Sequence, residues 1–227
     1  MNLQVIFLLF MIYSTIGYLM EVALVSVQKK KITDRGFLIG PYCPIYGTGA
    51  LLISLFLTKY TTDIPVLFVM SCLLGASLEY FTSYIMEKIF KTRWWDYSDH
   101  KYNINGRISL TTTLGFGALG VILIHYLNPF FMTIITKIPI LPLNIITTII
   151  AIIFITDIIT SFNIISKIKL INQSTTKDTT EEITKKVKET LKKHSYFTKR
   201  LTEAFPNLKV NIKDTIKKIK EKSPKDV

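Results

Sequence analysis

Five apolar stretches of about 20 residues constrain the fold of this chain more than any other feature. They cover residues of about 3–27, 41–60, 64–86, 108–127 and 143–166. A helix needs roughly 20 apolar residues to cross the ~30 Å hydrocarbon core of a bilayer. The sequence therefore predicts an all-α fold, a polytopic membrane helix bundle of about five transmembrane helices. Segment 128–142 is apolar but short and bounded by prolines. That pattern indicates an interfacial or re-entrant connection and not a sixth span.

Lys and Arg alternate between the connections, and this alternation predicts an orientation. The first and third connections and the C-terminal segment are basic, whereas the second and fourth each hold one lysine, Lys59 and Lys137. Cytoplasmic loops carry the excess of Lys and Arg. We therefore expect a multi-pass membrane protein with its N-terminus outside and its C-terminus in the cytoplasm. Residues 3–27 lack the basic start and cleavage site of a signal peptide and indicate an uncleaved span.

The charge divides the chain into a transmembrane domain, 1–166, and a cytoplasmic basic tail, 167–227. The tail holds 17 Lys and Arg against 8 Asp and Glu, within a chain of net charge +12. Its apolar residues recur at helical spacing, which predicts two amphipathic helices with lysines around each stripe; these residues are Ile183, Val187, Leu191, Ile212, Ile216 and Ile219. Such helices would bind the anionic lipid headgroups of the bilayer and not nucleic acid. A solvated, partly disordered tail is the alternative.

Three acidic residues lie within the predicted spans, namely Glu21, Glu79 and Asp157. A charge at the centre of a membrane helix costs at least about 2.5–3.5 kcal/mol, so such residues usually face the bundle interior and serve a function. Ser83 and Glu87 follow Glu79 at intervals of four, which places the three on one helical face. We expect a substrate or ion site here. The alternative is that Glu79 pairs with an arginine or is protonated and pins helices together.

The start of the second span is rich in glycine and proline. Residues 35–49 hold four glycines and two prolines, which do not form a regular helix throughout. Broken helices often mark binding sites in transporters. A kinked helix that lets its neighbours pack closely is the alternative. The helix-break residues are Gly40, Pro41, Pro44 and Gly47, and Arg35 and Tyr46 are the site candidates of this stretch.

The third connection combines aromatic residues, arginines and an Asn-Gly turn. Arg93 and Arg107 offer planar forks for a carboxylate or a phosphate, and Asp96 is a natural partner for one of them. Trp95 suits the headgroup layer, where an aromatic belt would explain it. Asn105 precedes Gly106 and Arg107 directly. The site candidates of this connection are Arg93, Trp95, Asp96, Asn105 and Arg107.

The predicted orientation places every one of these candidates on the cytoplasmic side, so we expect one polar pocket open to the cytoplasm. The outer half has little polar chemistry, and no internal repeat stands out. Two cysteines, Cys43 and Cys72, show no metal-ligand spacing, so we expect no metal and no cofactor. No phosphate-binding loop of the GxxxxGK[ST] type occurs, so any ATP hydrolysis requires a separate ATPase subunit.

Several unusual motifs together resemble one known family. They are RGFLIGPYCPIYG from Arg35 to Gly47, Leu78-Glu79-Tyr80, Trp94 to Ser98, and Asn105-Gly106-Arg107. The chain resembles, over about residues 3–165, the bacterial family named putative ABC transporter permease, type IV. The resemblance implies a multi-pass inner-membrane transport protein, with a partner ATPase and a homo-oligomer as expected associations. It assigns no residue a role.

Three functions follow from these observations. The first is a permease-type transport component with its polar site on the cytoplasmic side. The second is a membrane-embedded enzyme acting on a lipid or isoprenoid phosphate, in which Arg35, Arg93 and Arg107 hold the phosphate and Glu79 or Glu87 transfers a proton. The third is a membrane assembly or regulatory protein whose tail recruits partners. The sequence identifies no catalytic residue, and we expect a protein that is not an enzyme.

Overall fold

The computed structural model describes residues 2–30, 38–90 and 94–174. The α-helices of this part are α1 (Leu3–Lys29), α2 (Pro44–Leu57), α3 (Ile64–Phe90), α4 (Leu110–Ile122), α5 (Asn128–Ile135) and α6 (Ile140–Ser174). A 3-10 turn, Thr58–Tyr60, follows α2, and a π-helix, Leu123–Leu127, joins α4 to α5. Two short antiparallel strands, β1 (Asn103–Ile104) and β2 (Ile108–Ser109), form a β-ribbon before α4.

Four helical segments are long and apolar enough to cross a bilayer, and they confirm a helical membrane bundle. They are Leu3–Val27, Ile64–Ile89, Leu110–Ile135 and Ile140–Asn163. The remaining predicted span, 41–60, contains α2, which has 14 residues. At 1.5 Å per residue α2 is about 21 Å long, shorter than the ~30 Å hydrocarbon core. When α4, the π-helix and α5 are taken as one segment, the described residues form four long helices and one short one.

The expected connection over 128–142 is wrong in its first half. Residues Asn128–Ile135 form α5, which continues α4 through the π-helix as one apolar segment. Pro129 has no N–H for the usual helical bond, but the helix continues, because the π-helix absorbs the change and Pro is tolerated in a first turn. The apolar side chains also pack inward, since Phe131 meets the Tyr13 ring and Ile135 is buried.

Two antiparallel helix pairs form the centre of the bundle. We call α1 and α2 the first pair and α3 and α4 the second pair; we call the end with the β-ribbon the ribbon end and the end with the 3-10 turn the turn end. The core contains Leu9, Ile53, Leu67 and Leu123. Helix α6 lies at the periphery with most of its isoleucines exposed, as expected for a helix that faces lipid.

The first pair packs closely through glycines. A side-chain carbon added at Gly17 would overlap the Tyr46 ring, and one added at Gly47 would overlap the Ser14 hydroxyl. Helices approach this closely in membranes when small residues line the contact. Glu21 lies one turn beyond Gly17. The packing pattern of the first pair therefore consists of Gly17, the dipeptide Tyr46-Gly47 and the acid Glu21.

The second pair repeats that pattern. A side-chain carbon added at Gly75 would overlap Phe116, and one added at Gly117 would overlap the Cys72 sulfur. Glu79 lies four residues after Gly75, as Glu21 does after Gly17. The expectation that the chain has no internal repeat is therefore wrong. Each pair has the same glycine, acid and aromatic-glycine contacts at equivalent positions.

Candidate functional site

Glu79 is the most buried acid of the second pair and accepts two hydrogen bonds. It is 6% exposed and lies on α3, near the ribbon end. The Tyr97 hydroxyl donates to Oε1 at 2.9 Å, and the Thr112 hydroxyl donates to Oε2 at 3.3 Å. Thr112 stands in the first turn of α4, and Tyr97 lies in the connection from α3. Among the described residues, no basic side chain contacts this carboxylate.

Glu21, the equivalent acid of the first pair, lies beside Glu79. The Tyr46 hydroxyl donates to its Oε1 at 2.5 Å. The carboxyl groups of Glu21 and Glu79 are near enough for the charge of one to affect the other. The structure therefore brings one acid from each helix pair together, each with a tyrosine hydroxyl on it. We call these four residues the paired-acid cluster.

Arg107 occupies the same end of α3, nearer the ribbon. Its Nη1 donates to the Ser83 hydroxyl at 3.1 Å, and its Nη2 forms an ion pair with Glu87 Oε2 at 2.7 Å. The guanidinium also lies 5.8 Å and 5.5 Å from the ring centres of Tyr80 and Tyr84. Both terminal nitrogens of the arginine thus bind α3, and cation–π contacts add to the attraction. The predicted face of Glu79, Ser83 and Glu87 exists, and Arg107 fastens the ribbon to it.

Hydrogen bonds hold the rest of the connection around the turn that carries Arg107. The Trp95 indole nitrogen donates to the Arg107 carbonyl at 3.0 Å, and the Tyr97 amide donates to the Gly106 carbonyl at 2.8 Å. The Asn105 side chain donates to the Tyr80 hydroxyl at 2.9 Å. Asn105 itself has a positive φ of 54°, a conformation that asparagine tolerates better than most residues. The Asn-Gly-Arg turn therefore positions Arg107 against α3.

Asp96 does not take the part that we expected with Arg107. Its Oδ1 accepts from the amide and the hydroxyl of Ser98, at 3.0 Å and 2.6 Å, which forms a local turn. Arg107 binds Glu87 instead, because the ribbon carries it to the face of α3. Arg93, the other expected partner, lies outside the described residues, as does Arg35.

Asp157 accepts its hydrogen bonds from the stretch before α2 and from α6 itself. Its two oxygens accept from the amides of Ile39 and Gly40 at 2.9 Å and 2.6 Å. The hydroxyls of Tyr42 and Ser161 also donate to it, at 2.6 Å and 2.8 Å. A helix that begins late leaves such amides without partners, and Asp157 supplies the missing acceptors. We call this the Asp157 knot.

The break before α2 lies deep in the bundle. Gly40 and Pro41 are not helical, and the helix begins at Pro44 as proline in a first turn favours. The Cys43 amide donates to the carbonyl of Ser14, near the middle of α1, at 2.8 Å. Irregular backbone at such a level requires burial in protein or water. The irregular backbone before α2 thus lies next to Gly47, where α2 closely approaches α1.

Polar contacts also occur towards the turn end, the end that the predicted orientation assigns to the outer half, for which we expected little polar chemistry. The Tyr13 hydroxyl donates to Asn128 Oδ1 at 2.5 Å, and Asn128 Nδ2 donates to the Ser54 hydroxyl at 2.7 Å. His125 lies between two carbonyl oxygens nearby. Hydropathy alone hides these residues, because single polar residues scarcely lower the average of a 20-residue span.

The structure thus groups most candidates by contact at the ribbon end of α3. Glu21, Tyr46 and Glu79 meet in the paired-acid cluster, and Ser83, Glu87, Trp95, Asn105 and Arg107 form the adjoining clamp. Sequence reasoning did not include Thr112, Ser161 or Tyr97 among the site candidates. The described residues hold no group of three His, Cys, Asp or Glu side chains suited to a metal ion.

Comparison with known proteins identifies the family. Residues 8–162 match the family described as Putative ABC-transporter type IV. The chain belongs to this family. The match covers the helix pairs, the ribbon and most of α6, which confirms the resemblance drawn from the motifs. No curated protein and no solved structure matches the chain. Family and fold together make this a membrane protein with a connection to transport.

Proposed function

We propose that this protein is a permease-type transport component that binds a small cation, or the charged group of a cationic solute, at the paired-acid cluster. The observation that carries this proposal is the carboxylate of Glu79, which is buried near the ribbon end, accepts hydrogen bonds from two hydroxyls and contacts no basic side chain among the described residues. Family membership supports the transport part. Transport sites commonly lie between structural repeats.

The electrostatics of the cluster favour a positive occupant. A buried carboxylate is costly when it is ionised and no positive group lies beside it. The hydroxyls of Tyr97 and Thr112 donate hydrogen bonds to Glu79 but carry no charge to offset it. A bound cation or a proton on Glu79 offsets this cost. Cation uptake and proton release would consequently be coupled.

Polar groups beyond the cluster support transport over a one-sided enzyme pocket. Ser14 lies two turns from Glu21 on the same side of α1, and its buried hydroxyl has no hydrogen-bond partner in the described structure. Tyr13, Asn128 and Ser54 continue the polar series towards the turn end. An enzyme that acts on a headgroup from one side needs no such series.

The state of Arg107 also argues against the phosphate enzyme. In that alternative Arg107 would hold a phosphate, but its Nη1 and Nη2 already bind Ser83 and Glu87. Its side chain is 11% exposed. A phosphate would have to displace an ion pair at 2.7 Å. Arg107 therefore suits a structural clamp better than a phosphate ligand.

The proposal includes the orientation, the location and the domain division predicted from the sequence. The protein lies in the bacterial inner membrane, N-terminus outside, with the ribbon end in the cytoplasm and residues 167–227 as a basic tail on anionic lipid. A separate ATPase supplies the energy. Topology reporters fused after Lys59 and Lys137 should report the outside; a cytoplasmic signal from either would refute the orientation.

Cation binding is the direct test of the cluster. The full chain in nanodiscs should be titrated with Na⁺, K⁺ and a series of alkylammonium ions by calorimetry and by tryptophan fluorescence. The two tryptophans of the chain, Trp94 and Trp95, both lie in the connection between α3 and α4. This connection contains Arg107, and its Tyr97 donates to Glu79. We expect saturable binding of at least one cation. Glu79→Gln and Glu21→Gln should each weaken it by about tenfold or more, as loss of a charged partner does.

Asp96→Asn is the matched control. Asp96 is an exposed acid of the same connection and binds Ser98, so removing its charge should leave cation affinity unchanged. Binding that is lost equally in all three variants would show a general surface effect. A wild-type protein that binds none of these cations would refute the proposed site.

A further inference from the structure

His125 is the one residue of the Asp, Glu, His, Lys and Arg types in the long apolar stretches that lead to the turn end. The sequences of 3–20, 44–57, 64–78 and 110–135 contain no Asp, Glu, Lys or Arg, and His125 is their one histidine. It lies within the π-helix, Leu123–Leu127. π-Helical turns inside helices frequently occur at functional sites. The paired-acid cluster lies at the other end and makes no use of this residue.

Both ring nitrogens of His125 face hydrogen-bond acceptors. Nδ1 lies 3.0 Å from the Val121 carbonyl oxygen, and Nε2 lies 3.0 Å from the Thr61 carbonyl oxygen. A backbone carbonyl accepts and cannot donate. A neutral imidazole has one N–H and one acceptor nitrogen, whereas the doubly protonated ring has two N–H donors. The arrangement is therefore complete only when the ring carries both protons.

The two carbonyls belong to different parts of the bundle. Val121 is in α4, one turn before His125, and Thr61 is in the connection between the first and second helix pairs. Thr61 follows the 3-10 turn, and three residues later α3 begins. The ring consequently ties the connection between the pairs to the second pair. A neutral ring has an N–H for only one of the two carbonyls at a time and sets a lone pair against the other, so the bond to Thr61 forms in only part of the neutral population.

We propose that His125 is a protonation-dependent clasp at the turn end, closed when the imidazole is doubly protonated and loosened when it is neutral. Low pH thus tightens the contact between the 58–63 connection and the π-helix, and high pH loosens it. The clasp follows from geometry at the turn end and does not depend on the proposed cation site.

The charged and titratable neighbours come from the connection and from the π-helix itself. Lys59 lies over the Tyr60 ring at 4.9 Å, and the Asp63 carboxylate accepts from the Val66 amide at 3.1 Å as a cap of α3. Tyr126 follows His125 directly, with ring centres 6.4 Å apart. Lys59 and Asp63 carry opposite charges and both have other partners, so the protonation of His125 remains the change that alters the contact with Thr61.

Hydrogen exchange on the full chain in nanodiscs tests the clasp. Exchange of segment 58–66 should be measured at about pH 5.5 and about pH 8.5, on either side of the range in which histidine changes charge, and corrected for intrinsic rates. In the wild-type protein we expect protection to fall by about tenfold at the higher pH, as loss of a hydrogen bond to a charged group predicts. His125→Gln should show low protection at both values. His100→Gln is the matched control, since His100 is exposed at the ribbon end, and should behave as wild type.

The protonation state provides a second readout that needs no stable His125 variant. The chain has three histidines, His100, His125 and His194, so histidine-selective ¹⁵N labelling gives few signals, and His100→Gln and His194→Gln assign His125 by elimination. We expect two protonated, hydrogen-bonded nitrogens at the lower pH. One unprotonated nitrogen there would overturn the proposal. Equal protection of segment 58–66 at both pH values in the wild-type protein would overturn it as well.

Discussion

The two helix pairs share one packing pattern but begin their second helices in different ways. In each pair a glycine on the first helix receives an aromatic ring from the second, and an acid follows that glycine by one turn. Helix α2 begins after irregular backbone that Asp157 of α6 holds from outside the pair. Helix α4 begins after a ribbon that Arg107 fastens to α3 of the same pair.

The comparison teaches that the second pair is self-sufficient and the first is not. Helix α4 has its own cap, because the Ser109 hydroxyl accepts from the Thr112 amide and the Thr112 hydroxyl accepts from the Ser109 amide. Helix α2 shows no side-chain cap. The two pairs thus hold their acids at equivalent positions. Because α2 and α4 begin differently, only the first pair depends on α6.

The largest expected effect comes from removing the outside support of the first pair. Asp157→Asn leaves one oxygen for the amides of Ile39 and Gly40, which bind different oxygens of the carboxylate. One buried amide then loses its partner, and the other bonds lose their charge assistance. We expect the free energy of unfolding, measured by steric trapping in bicelles, to fall by about 3 kcal/mol.

Thr156→Val is the control for that substitution. Thr156 is exposed on the same helix and donates to the carbonyl of Ile152 in its own helix. Its loss should change the free energy of unfolding by less than about 0.5 kcal/mol. If Asp157→Asn were equally mild, the first pair would not depend on α6, and the contrast between the pairs would fail.

A smaller loss is expected from the clamp of the second pair. Arg107→Lys keeps the charge but cannot bind Ser83 and Glu87 at once while lying over two tyrosine rings. The free energy of unfolding should fall by about 2 kcal/mol. Lys101, exposed in the same connection, provides the control, and Lys101→Ala should be nearly neutral. A neutral Arg107→Lys would mean that the ribbon holds α4 without the guanidinium.

The shared pattern itself can be tested by matched glycine substitutions. Gly47→Ala and Gly117→Ala each place a methyl group on an atom of the facing helix, so both should destabilise the protein by about 1–3 kcal/mol. At Gly115 nothing lies within 4 Å of an added carbon. Gly115→Ala should therefore be neutral or slightly stabilising, by up to about 1 kcal/mol. A cost at one of the matched glycines and none at the other would show that the repeat is superficial.

The smallest effect concerns the aromatic residues that differ between the pairs. Tyr46→Phe removes the hydroxyl donor of Glu21 and gives the first pair the phenylalanine of the second. We expect a loss of about 1 kcal/mol. Phe116→Tyr makes the reverse change, but Glu79 already accepts from Tyr97 and Thr112, so no gain in apparent melting temperature should follow. A clear gain would show that Glu79 has room for another donor.

Much of the fold could be predicted from sequence, because bilayer thickness sets the length of an apolar helix. The face of Glu79, Ser83 and Glu87 followed from helical spacing, and the break before α2 followed from its prolines and glycines. Which helices are neighbours does not follow from periodicity, so the link from Asp157 to the stretch before α2 could not be predicted. The repeat escaped notice because the pairs share a few contact residues and have connections of different length.

The Asp157 knot has a consequence for the order of events during synthesis. Gly40 and its partner Asp157 are separated by 117 residues. At a synthesis rate of about 5–20 residues per second, the acid emerges roughly 6–23 s after the amides that it serves. During that interval the segment before α2 has exposed amides at a level where lipid offers no partner. The first pair therefore reaches its final form only when α6 arrives, and a nascent chain interrupted before α6 lacks the acceptors of these amides.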